Sequence, residues 1–197
     1  MWKPVDTEFY VPRLPVSIVA VSGGGMEFAR ATLESLYCVV LLHTIGTPSD
    51  FLKVIAQGED APRYMIIMGH GTEDGLDFGE YGPADIDVSM LRNGAMPPEV
   101  IRRHVNLPGC TVFSYSCEGG SKAMAEAFLT GGLAAYIGCR TGPDVVAMNL
   151  FLFHFLHGVM AKKLSDRDAW HQAVAATDHE DINEFSFFHG DGTEERF

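Results

Sequence analysis

The sequence predicts an α/β fold, a three-layer α/β/α sandwich on a mostly parallel sheet. Short runs rich in Val, Ile and aromatic residues alternate with longer helix-like segments. The runs are apolar almost throughout, as expected of strands covered on both faces. Several helix ends are marked by local chemistry: Pro48-Ser49-Asp50 and Pro97-Pro98-Glu99 open helices, and Gly131-Gly132 closes one.

In chain order the predicted strands are "VSIVAV" at 16–21, "CVVLLHT" at 38–44, "YMIIMG" at 64–69, "CTVFSYS" at 110–116 and "LAAYIGC" at 133–139. The predicted helices fall at about 26–36, 48–57, 97–105, 119–130, 144–163 and 166–177. The stretch 72–95 breaks the rhythm with Gly75, Gly79 and Gly82 and the alternating "DIDVSML", and reads as an inserted loop with a small hairpin. The tail "EFSFFHGDG" reads as an edge strand. At 197 residues, nearly half apolar and one fifth charged, residues 1–197 are expected to form one domain around one core.

A net charge of −12 and a pI near 4.9, without any Lys/Arg run, exclude a duplex-binding footprint, so no nucleic-acid partner is expected. The start "MWKPVDTEFYVPRLP" lacks a basic stretch followed by an apolar one, and the expected location is cytoplasmic. The apolar run "VVAMNLFLFHFLHGVMA" at 145–161 is broken by Asn149, His154 and His157 and followed by "KKLSDRDAW". It reads as a buried helix, so no membrane partner is expected. Cys38, Cys110 and Cys139 sit in or beside apolar runs as small hydrophobes, and no CxxC spacing occurs; disulfides and a zinc site are not expected. Core or interface packing is the reading for His154 and His157, despite their HxxH spacing. The acids Glu73, Asp74, Asp77, Asp85 and Asp87 lack the grammar of a calcium loop, and "VSGGG" lacks phosphate-loop spacing. No cofactor and no metal are expected, and the oligomeric state is left open.

Two strand ends carry the chemistry. "YMIIMGHG" delivers His70, and "CTVFSYSCEGG" delivers Cys117. In open α/β sheets ligands gather outside the carboxyl ends of strands. Were these two strands neighbours, ~4.8 Å apart, an imidazole and a thiol would share one rim. A cysteine attacks as its thiolate, favoured by a nearby imidazolium and by a helix N-terminus, which the predicted helix from 119 would supply. The N–H groups of Gly71 and Cys117 are the candidate oxyanion donors, and His70 the acid for a leaving amine.

An apolar strand ending in His-Gly, followed by one ending in small-residue-Cys, resembles the caspase-like cysteine peptidases, which include metacaspases, gingipains, clostripain, separase and the CHAT domains. The spacing from His70 to Cys117 is near the roughly 50 residues of caspases. The stretch "SCEGGSKAMAEAFLTGGLAAYIGCRTGPD" is similar to the CHAT and gingipain pattern. Against the caspase signature Q-A-C-x-G, Tyr115 replaces Gln, Ser116 replaces Ala, and Gly119 is kept. The resemblance implies a cofactor-free endopeptidase that cleaves peptides or proteins through a Cys117 thioester with His70. It also implies a substrate pocket around Ser22, Tyr115 and the loop after the fifth strand. Tyr115 stands where members that take basic residues carry Asp, which speaks against an Arg/Lys pocket, and Asp144 is the remaining acidic candidate. Asp144 also has an ordinary use as a helix cap.

Two other readings remain. A glutamine-amidotransferase or DJ-1-like domain also places cysteine on a strand-to-helix elbow, but "YSCEG" lacks the first glycine of Gly-x-Cys-x-Gly. Its histidine would lie downstream, where His171 and His179 lack the His-x-Glu pattern. The other is a non-catalytic scaffold that keeps the fold.

Overall fold

The computed structural model describes residues 13–22, 25–82, 85–176 and 178–197. Gly23 and Gly24 of "VSGGG", the segment before residue 13 and the expected helix end at 177 lie outside them. The strands are β1 (Pro15–Ala20), β2 (Val39–Thr44), β3 (Tyr64–Met68), β4 (His70–Thr72), β5 (Gly75–Asp77), β6 (Ala95–Met96), β7 (Thr111–Tyr115), β8 (Ala135–Cys139), β9 (Phe185–His189) and β10 (Glu194–Glu195). The α-helices are α1 (Met26–Ser35), α2 (Pro48–Val54), α3 (Pro98–His104), α4 (Lys122–Leu129), α5 (Val145–Met160) and α6 (Asp166–Ala175).

The main sheet has the order β10-β9-β8-β7-β3-β1-β2. Strands β2, β1, β3, β7 and β8 run parallel, while β9 and β10 join antiparallel. The tail strand is therefore internal, because β10 covers its outer edge. The chain first steps from β1 to β2, then returns across β1 to β3, so connections leave in opposite directions between β1 and β3. That is where a crevice opens at the carboxyl ends of a parallel sheet.

Strands β3, β7 and β8 are buried at every residue, which is why their sequences do not alternate. On one face Ile18, Ile66, Phe113 and Ile137 pack under α1, α5 and α6; on the other Val19, Met65, Val112 and Tyr136 pack under α2, α3 and α4. Phe113, Phe151, Phe155 and Phe185 form an aromatic stack, with Phe151 and Phe185 centroids 4.1 Å apart. Helix α5 is the apolar run of the sequence. Its inner positions Met148, Phe151, Leu152 and Phe155 are buried by the sheet, and α6 covers another side. Gly158 permits that helix contact, since a Cβ there would come 2.9 Å from the Ala169 Cβ. Among the described residues no helix is long and apolar enough to cross a membrane.

The insertion differs from expectation. Its hairpin begins at His70, not Thr72: β4 and β5 pair across Glu73-Asp74, and β6 completes a separate three-stranded sheet. The alternating "DIDVSML" forms no strand, because these residues have no partner strand to pair with among the described residues.

The start of α6 is fixed by a cluster invisible in sequence. The Asp166 carboxylate accepts from Tyr64 Oη (2.7 Å), Thr111 Oγ1 (2.6 Å) and Arg63 Nη2 (2.6 Å), so one side chain ties α6 to the beginnings of β3 and β7. Burial and the Asp166 charge push the Tyr64 phenol well above its usual pKa, keeping it a donor. Asp166→Ala leaves buried donors unmatched and is expected to cost roughly 2–3 kcal/mol, read as a lower midpoint in urea unfolding with an unchanged m-value. Asp168→Ala, which removes only the carboxylate that receives the Ser165 hydroxyl at the exposed cap of the same helix, is the control and is expected to cost under about 1 kcal/mol.

Candidate active site

Strands β3 and β7 are neighbours, and their register pairs Met68 with Tyr115. The pairing continues one step further, where Gly69 N–H donates to Tyr115 O (3.3 Å). His70 and Cys117 each lie two residues beyond a member of the Met68–Tyr115 pair, so both follow one level of the sheet.

His70 is held by a strand pairing of its own. It belongs to β4 opposite Asp77, and its N–H donates to Ser22 Oγ (3.2 Å). The Ser22 hydroxyl in turn donates to Asp77 O (3.2 Å), so the residue following β1 fastens the hairpin that carries the imidazole. The His70 side chain itself is exposed. Its neighbour Gly71 lies against the other strand end: a Cβ on Gly71 would fall 1.8 Å from Cys117 O. Only glycine permits that approach.

Cys117 lies in a turn between β7 and α4. Sequence places the helix from 119; it begins at Lys122 instead, because Cys117 to Gly120 form the turn, with Glu118 at φ +54°. The positive end of α4 therefore lies beyond the turn and not directly behind the thiol. Both glycines of the turn are packed from below: a Cβ on Gly119 would be 2.2 Å from Ser114 Oγ, and one on Gly120 would be 2.2 Å from Gly138 O. Tyr136 donates to Gly119 O (2.6 Å), Glu118 N–H donates to Thr141 O (2.8 Å), and Gly120 N–H donates to Cys139 O (2.7 Å). The turn is thus held by β7, by β8 and by Thr141 just beyond β8. Cys117 N–H donates to no group among the described residues.

The four thiols divide cleanly. Cys38, Cys110 and Cys139 are buried, and burial raises each pKa, that of Cys110 to about 12. Cys117 is the partly exposed one.

A cavity of about 320 Å³ is lined by both His70 and Cys117. Ser22 and Tyr115 line it too. Asp144 does not: its carboxylate accepts from Val146 N–H (2.6 Å) as the N-cap of α5, leaving its neighbours Pro143 and Val145 at the cavity wall. A smaller hollow of about 130 Å³, with Gly71, Leu76, Pro98 and Met124 in its wall, meets the first at Ser116 and Cys117. Sequence reading missed Met148 of the cavity wall, which the helical period of α5 alone does not distinguish from core, and the latch formed by Ser22. The downstream histidines are elsewhere: His171 pairs with Glu195 (2.8 Å), and His179 caps the short helix Glu180–Glu184. His154 has a ring lowered in pKa by burial, and no group of metal-holding side chains occurs among the described residues.

No family model matches the sequence, and no curated protein matches it significantly. Solved structures do. RgpB of Porphyromonas gingivalis, the Arg-specific cysteine proteinase gingipain R, is similar with TM-score 0.57 and 12% identity, over 89% of this chain and 46% of that one. An inactive zymogen C11 protease from Parabacteroides distasonis gives TM-score 0.54 and 13% identity, over 92% of this chain and 64% of that one. Separase, in the Saccharomyces cerevisiae separase–securin complex, gives 0.54 and 10%, over 96% of this chain and 13% of that one. The chain thus corresponds to a part of each of these longer proteins, and it has the caspase-like fold that these cysteine peptidases share.

Proposed function

We propose that the protein is a cysteine endopeptidase in which Cys117 is the nucleophile and His70 the acid–base partner. The observation that carries this reading is that one cavity is lined by both residues, at the adjacent ends of β3 and β7. The Cys117 thiolate attacks the carbonyl carbon of the peptide, and the electron pair moves to oxygen. Amide N–H groups of Gly71 and Cys117 receive that oxyanion; the unused N–H of Cys117 and the tight approach of Gly71 support the assignment. Collapse of the intermediate breaks the C–N bond as His70 protonates the leaving amine. Water, deprotonated by His70, then hydrolyses the thioester and restores the thiol.

Two hollows that meet at the thiol leave room for substrate on both sides of the scissile bond, which favours cleavage within a chain. The histidine beside Cys117 precedes it in sequence, unlike the amidotransferase arrangement. The active-site turn also leaves the thiol accessible, where a packed scaffold would bury it.

A peptidyl acyloxymethyl ketone is expected to alkylate Cys117, seen as a mass shift on the peptide that contains it. Labelling should vanish in Cys117→Ala and fall roughly 10²- to 10⁴-fold in His70→Ala, with folding retained in both by circular dichroism. Undiminished peptide hydrolysis by Cys117→Ala removes the thiol from the reaction. Gly71→Ala has no room for its methyl group and must move β4 away from the cysteine turn. Its kcat is expected to drop about 100-fold, since a shift of about 1 Å between the reacting groups suffices for such a loss, and its thermal midpoint to fall as well, because the neighbour that must give is backbone.

A further inference from the structure

Apart from the dyad, the lining of the cavity is largely apolar. Its wall is made by Gly25, Tyr115, Pro143, Val145 and Met148. No carboxylate, lysine or arginine lines it among the described residues. Of the acids nearby in sequence, Asp144 caps α5, the Asp77 carboxylate accepts from Gly79 N–H (2.8 Å), and Glu118 lines the smaller hollow instead of this cavity. Tyr115 presents its ring, because its hydroxyl is turned onto Asn149 Oδ1, and burial raises its pKa to about 12 so that it carries no charge. Gly25 adds space where any side chain would meet the Tyr115 ring and the Met68 methyl, with a Cβ 3.6 Å and 3.5 Å from them. Val145 is 55% exposed at the mouth, an apolar side chain left in water until something covers it.

We infer that this cavity takes the side chain preceding the cut bond and that the side chain is uncharged and apolar, of the leucine, methionine or phenylalanine kind. The inference rests on the peptidase reading above. A charged side chain entering this wall loses its hydration and meets no counter-charge, which costs far more than the contacts return. An apolar one trades water for Met148, Val145 and the Tyr115 face, at roughly 25 cal/mol per Å² buried.

The test is a set of fluorogenic tetrapeptides identical except for the residue before the leaving group, covering all side-chain classes. In parallel, acyloxymethyl ketones with the same variation report Cys117 labelling independently of turnover. Leucyl, methionyl or phenylalanyl peptides are expected to exceed arginyl, lysyl, aspartyl and glutamyl ones by roughly 100-fold in kcat/KM, a ratio set by the cost of an unpaired charge. Faster cleavage after a charged residue overturns the inference and leaves the peptidase reading standing. Failure of every peptide together with failure of every ketone to mark Cys117 overturns both. A second variant addresses the cavity itself. Val145→Asp adds a carboxylate at the exposed mouth, in the first turn of α5 where negative charge favours the helix. It is expected to lower the leucyl-to-arginyl ratio by at least about tenfold, as a counter-charge within reach of the bound guanidinium would. An unchanged ratio in a folded Val145→Asp protein places the determining pocket elsewhere and overturns the inference.

Discussion

The pairing of β3 with β7 is the constraint on which the candidate site depends. Both strands are buried at all five positions, so neither offers a polar face that could tolerate a slip. A shift by one residue would exchange Ile66 and Met68 with Ile67 between two cores of different shape, and every neighbouring side chain with them. The register that survives sets Met68 beside Tyr115, and the two residues that follow each strand inherit the alignment. Beyond that point the chains diverge. β4 leaves the sheet to join a small sheet of its own, while the Cys117 turn is drawn down toward β8. Gly71 is the contact at which the diverging segments still touch, through its bare Cα and the Cys117 carbonyl.

Legibility in the sequence followed the strength of burial. The five parallel strands were readable to within about two residues because each is an unbroken apolar run bounded by turn residues. Helix α5 was readable for the same reason. The start of α4 was misplaced because "EGGSKAM" has no residue that forbids an early helix; what delays it is the backbone of Gly119 and Gly120 packed against Ser114 and Gly138, a tertiary fact. The small sheet was misplaced at its beginning because "HGT" carries no apolar pattern. It is extended through pairing with "GLD" and through the Ser22 hydroxyl, which comes from 48 residues earlier. Alternation in "DIDVSML" carried no strand, since period-two patterning forms a strand only where a partner strand is at hand.

At the site, positions beside strand ends were legible and the duties of side chains were not. His70 and Cys117 stood out because glycine beside an apolar strand is a local signal. Ser22 and Tyr115 do line the cavity, yet the work of each is specified by a distant partner: Asp77 O for the one, Asn149 for the other. A tyrosine one residue from a turn gives no sign of whether its hydroxyl or its ring will face a ligand. Helix α5 decides this by bringing Asn149 to the hydroxyl, which leaves the aromatic face toward the cavity.

The contrast between the whole chain and its cleft follows from the same competition. The chain carries 26 acidic residues against 14 basic ones, so a sequence reader naturally looks for an acid in the pocket. Near the cleft, however, strands end and helices begin, and the terminal N–H groups of such elements have no partner within the element itself. A short carboxylate beside such a group binds it first. Asp144 is taken by the first turn of α5, Asp77 by Gly79, and Asp181 by the Asp144 N–H. Each bond satisfies an otherwise orphaned donor and holds negative charge at the rim, out of the cavity. What lines the larger cavity beside Ser22, Ser116 and the dyad is glycine, proline, valine, methionine and tyrosine. Around the larger cavity an acidic chain and an uncharged wall are therefore compatible, because strand ends and helix starts claim the carboxylates beside it, while Glu73 and Glu118 line the smaller hollow on the other side of the Cys117 turn.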